Sequence, residues 1–96
     1  MKQIERIIEM ERHIEHASAA VMELSAALDK YEEAQASIAA LSDYYDSDDW
    51  KRDFADDEAG RLPAGLKRGV LSEDGIWNLL DDNRELLERI REIIND

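Results

Sequence analysis

The sequence predicts an all-α protein: an antiparallel helical hairpin of a long N-terminal and a C-terminal helix, with a short middle helix and a Gly/Pro loop. Three observations carry this prediction. Apolar residues recur in steps of three and four along most of the chain. No Pro or Gly interrupts the first 59 residues. All 4 glycines and the 1 proline fall between positions 60 and 75, where a connection must lie. The expected order is a single helical domain over residues 1–96. It has a long helix at about 3–45, a short helix at about 48–58, a loop at 60–71 and a last helix at about 73–95.

The first helix follows from its seam. Ile7, Met10, Ile14, Ala17, Val21, Leu24, Leu28, Tyr31, Ile38 and Tyr45 keep a heptad spacing, with polar gaps at Gln35 and Ser42. Ala20, Ala27, Ala34 and Leu41 form a second row seven apart, and its three small residues let another helix come close. Unbroken, this helix would be about 60 Å long. The last helix would reach only about 35 Å. About 25 Å of the N-terminal stripe then lacks a partner within the chain. Ile4, Ile7, Ile8, Ile14 and Val21 are therefore the expected self-association face, because an exposed apolar stripe usually marks an interface. A helix broken near residues 16–20 is the competing reading.

The short helix needs a cap and a stop. Ser47 or Asp48 can accept from its free N–H groups. Trp50 and Phe54, four apart, share one face. Gly60 is a natural stop, and Pro63 hinders resumption. The last helix is expected to start near Ser72, with Glu73 and Asp74 at the positive end of its dipole. Gly75 stands where Glu would complete a capping box. Ile76, Leu79, Leu80, Leu86, Leu87, Ile90, Ile93 and Ile94 make its stripe, with Asn83 in the middle as a device for fixing register. Tyr44, Tyr45, Trp50, Phe54 and Trp77 are the expected core between the helices.

Composition excludes several functions. The net charge is −12 and the pI about 4.4, so nucleic acid and anionic membranes are poor direct partners. Without cysteine there is no disulfide, thiolate nucleophile or Cys-ligated zinc. No signal peptide and no apolar run of membrane length is seen, which suggests a cytoplasmic protein. A chain of 96 residues supports only a small core, and oligomerisation is a common remedy.

The stretch "YYDSDDWKRDFADDEAGRLPAGLKRGVLSEDGIWNLLDDNRELL" resembles a family of short bacterial proteins known as domain of unknown function 4298. The resemblance rests on the Tyr-Tyr pair, Asp-Trp followed by a basic pair, Leu-Pro, Leu-Lys-Arg-Gly-Val-Leu-Ser-Glu-Asp-Gly and the leucine-rich tail. It covers nearly the whole chain and is most specific over residues 44–80. It implies an all-α protein of bacterial origin and transfers no activity.

Candidate chemistry is thin. His13 and His16 lie near Glu9 and Glu15, but they are three apart. Helical zinc sites use His at i and i+4, and di-iron bundles use Glu-x-x-His. Asp46, Asp48 and Asp49 begin like a calcium loop, which Trp50 and a missing glycine then break. "GRLPAGLK" fails as a phosphate loop, because Lys67 is displaced by one and Arg68 replaces Ser or Thr. Ser72 has no histidine near it in sequence, and the abundant carboxylates form no recognisable pair. No catalytic, cofactor-binding or metal residue is expected, and no cofactor.

One charge contrast remains. Residues 43–60 hold eight acids and two bases, while residues 61–70 hold three bases and no acid. Arg61, Lys67 and Arg68 are expected to neutralise the acidic segment and to tie down a hinge, with Gly65 and Gly69 permitting tight turns. The alternative is a partner-contact loop carrying Trp50, Lys67 and Arg68. The functional expectation is a non-enzymatic, homodimeric, protein-interaction or oligomeric structural protein, with an unidentified protein as a further partner. The alternatives are an acidic nucleic-acid mimic that inhibits a basic protein, and a small metal-dependent hydrolase.

Overall fold

In the computed structural model, which describes residues 2–95, the chain forms α1 (Gln3–Tyr45), α2 (Asp48–Glu58), a 3-10 turn (Gly69–Leu71) and α3 (Gly75–Asn95). The protein is all-α: a long N-terminal helix, a short middle helix and a C-terminal helix, with no strand among the described residues. α1 runs through 43 residues without interruption, so the break near 16–20 does not occur. No helix among the described residues is long and apolar enough to cross a membrane.

The chain divides into two compact units between Gln35 and Ala36. Among the described residues, the first unit is the part of α1 up to Gln35 and holds no other element. Its backbone groups are satisfied within the helix, but it has no core, and none of its described residues is buried. The second unit holds the end of α1, α2, the loop and α3. Among its described residues the two buried side chains are Leu71, 5 % exposed, and Ile76, 3 % exposed. The close backbone approaches between elements run from α2 to the 3-10 turn and from that turn to α3.

Local chemistry explains the element ends in the second unit. Ser47 caps α2: its Oγ accepts from Trp50 N at 3.2 Å and donates to the Tyr44 carbonyl at 2.6 Å. One hydroxyl thus ends α1 and starts α2. At the other end, Gly60 takes φ +72°, where a side chain is strained. Its N–H donates to Asp57 O, and Arg61 N–H donates to Asp56 O, which together form a Schellman stop.

α3 opens at Gly75, later than the expected start near Ser72. Ser72 is extended, with ψ 151°, because it closes the 3-10 turn. Extended backbone is what a capping residue adopts, and Ser72 Oγ accepts from Gly75 N at 3.0 Å as its place before the helix requires. Along α3, Ile76 is buried, and Leu80, Asn83, Leu87 and Ile90 are half-buried at helical spacing. Leu79, Leu86, Ile93 and Ile94 are exposed. Trp77 corrects another expectation. It is 53 % exposed and forms no part of the core. Each residue turns a helix by about 100°, so the neighbour of an inward Ile76 is carried off the covered stripe.

Candidate functional site

Two places merit description, one in each unit. In the first, the seam of α1 stays open. Ile4, Ile7, Ile8, Ile14 and Val21 are each between 51 and 72 % exposed. Met10, Leu24 and Leu28 are exposed beside them. The same helix carries Glu9 and His13, whose Oε1 and Nε2 lie 3.9 Å apart, with Arg12 and His16 nearby. This is a solvent-facing i,i+4 pair. Among the described residues, no three His, Asp or Glu side chains converge on a metal position.

The second place is the 3-10 turn. The Gly69 carbonyl accepts from Ser72 N at 3.3 Å and from Ser72 Oγ at 2.9 Å. Ser72 Oγ in turn accepts from Gly75 N at 3.0 Å. A Cβ on Gly75 would come within 2.5 Å of the Gly69 oxygen and 2.6 Å of Ser72 Oγ. The missing glutamate of the capping box is thereby explained: no side chain fits. Trp50 Nε1 donates to the Val70 carbonyl at 2.9 Å, which ties α2 to the turn. Its ring stacks on Phe54 at 5.1 Å and meets the edge of Tyr45 at 4.9 Å.

The basic residues then separate by role. Arg61 pairs with Asp56 at 2.8 Å, and Arg68 with Asp57 at 3.0 Å. The Arg68 pair is the more shielded, and its two members join the loop to the end of α2. Both arginines thus act on the acidic helix by which they were expected to be held. Lys67 differs. It is exposed and has no acid partner among the described residues. It edges a shallow, mostly apolar groove of about 320 Å³, floored by Leu41, Val70, Ile76 and Leu79. Of the three expected partner-contact residues, Trp50 and Arg68 are engaged within the fold, and Lys67 faces outward.

The acids at the start of α2 are also engaged. Asp48 meets Lys51 at 4.0 Å, and Asp49 bonds Arg52. Tyr44 donates to Asp53 Oδ2 at 2.6 Å. Partial burial, then the hydrogen bond and negative charge of Asp53, push the phenol up to about 12. That pair was not foreseen. Its members are nine residues apart and on different helices, so no periodicity marks them.

The same segments, from the seam through the loop to α3, match the sequence profile of a known family over residues 7–93. The chain belongs to the domain of unknown function family DUF4298. No curated protein and no solved structure matches it. Within this DUF4298 chain, residues 44–80, the most specific part of the resemblance, hold the end of α1, α2, the 3-10 turn and the start of α3.

Proposed function

We propose that this DUF4298 chain is a non-enzymatic protein-interaction protein that works as a homodimer through the N-terminal face of α1. One observation carries the reading: Ile4, Ile7, Ile8, Ile14 and Val21 stand exposed on a helix with no core of its own. Helices in proteins draw most of their stability from burying an amphipathic face, and a stripe of this length is costly to leave in water. The heptad spacing suits another helix better than it suits a small ligand.

The test is sedimentation equilibrium at micromolar concentration. The expected mass is twice that of the 11.0 kDa chain. Replacing Ile7 and Ile14 together by Glu should return it to the monomer, because two layers of the seam would then bury like charges against each other. Circular dichroism should still report a helical protein, since the second unit is untouched. A wild-type chain that stays monomeric would sink the proposal.

A further inference from the structure

We infer that the two copies lie parallel and in register along α1, so that Ile7, Ile14 and Val21 each meet their own counterpart. This inference rests on the self-association proposed above and adds its geometry. With Ile7 as the first position of the heptad, Ile7, Ile14, Val21 and Leu28 occupy that position in successive repeats. Met10, Ala17, Leu24 and Tyr31 occupy the fourth. Three of the four first-position residues are β-branched, which in a parallel coiled coil favours two strands over three or four; orientation itself rests on charge.

Charge favours the parallel arrangement. In a parallel pair, the residue just before the first position faces the partner residue five further on. Here those residues are Arg6 and the partner's Glu11, of opposite sign, and symmetry supplies the pair twice. Neither side chain has an ion-pair partner within its own chain among the described residues. Both are exposed and free to reach across. An antiparallel pair overlapped on the same stripe sets Arg6 beside Ala27 and Glu11 beside Ser18, and no opposite charges meet.

The chain has no cysteine, so a single introduced thiol reports orientation without background. Ile7→Cys in the full chain is oxidised mildly, or treated with a short bismaleimide, and run on a non-reducing gel. In the parallel register the two positions lie about 6 Å apart between Cα atoms, within disulfide reach. Most of the chain should shift to a covalent dimer. Met10→Cys, in the neighbouring layer, should do the same and guards against poor thiol geometry at one site. In the antiparallel arrangement, position 7 lies opposite position 24, and its own counterpart is about 25 Å away. Cross-linking would then require a mixture of Ile7→Cys with Leu24→Cys. A dimer by sedimentation that cross-links only in that mixture, or in neither single variant, overturns the parallel register and leaves self-association standing. A monomer by sedimentation overturns both.

Discussion

The helix up to Gln35 and the segment from Tyr44 to Ile76 spend their residues in opposite ways. The first has regular backbone, a long apolar seam and nothing buried. The second has short elements and irregular backbone, yet contains both buried side chains and most of the cross-element hydrogen bonds. A long helix satisfies its backbone locally and can leave its side chains for another molecule. A loop cannot, because each turn leaves polar groups that need partners. The 60–75 region meets that demand with Ser72 and Trp50, Arg68 adds an ion pair to α2, and Gly75 stands where atoms crowd.

Substitutions at the pinned region sharpen the contrast. The largest loss of stability is expected from Ile76→Ala. The side chain is 3 % exposed and sits in one of two buried positions, so about 2–5 kcal/mol should be lost in chemical denaturation. An equal loss for Leu24→Ala, measured with the chain held monomeric, would erase the distinction between the regions. Gly75→Ala comes next, at about 1–3 kcal/mol, because the added methyl must push the Gly69 carbonyl or α3 aside. An unchanged midpoint would mean that the turn yields freely and is not the pin described here.

The smallest effect is one of pH. The Tyr44 phenol is raised from 10.0 to about 12 in the folded chain. A raised pKa means that the folded state favours the protonated phenol. Its contribution is complete below about pH 10 and is lost as pH rises toward 12. Stability should therefore fall across that window, and Tyr44→Phe should flatten the fall while weakening the protein at neutral pH. If both chains lose stability alike above pH 10, other groups set the alkaline limit.

Much of this molecule was legible in its residues, and the failures are instructive. The caps at Ser47 and Gly60 follow from local stereochemistry, and each sits where that chemistry needs it. Ser72 has two duties that one residue type could not reveal: its Oγ donates to the Gly69 carbonyl and accepts from Gly75 N, and the regular helix begins at Gly75. Trp77 was assigned to a core by its residue type, but the phase of α3 turns it outward. Arg68 was expected chiefly in the hinge and Trp50 in the core, with an external partner as the alternative for both. Only distances to Asp57 and Val70 separate those roles.

By itself, the sequence determined the helices, their caps and stops, and the seam on α1, because each depends on residues within about one turn of one another. Membership of the DUF4298 family was written there too. Tertiary structure decided which polar and aromatic groups were consumed in holding the loop. It also decided why position 75 must be glycine, and which apolar faces remained uncovered. Those outcomes depend on atoms that no helical period relates, whether six residues apart at Gly69 and Gly75 or 20 apart at Trp50 and Val70. No local period encodes a carbonyl at Gly69 waiting above Gly75, or an indole of α2 reaching Val70.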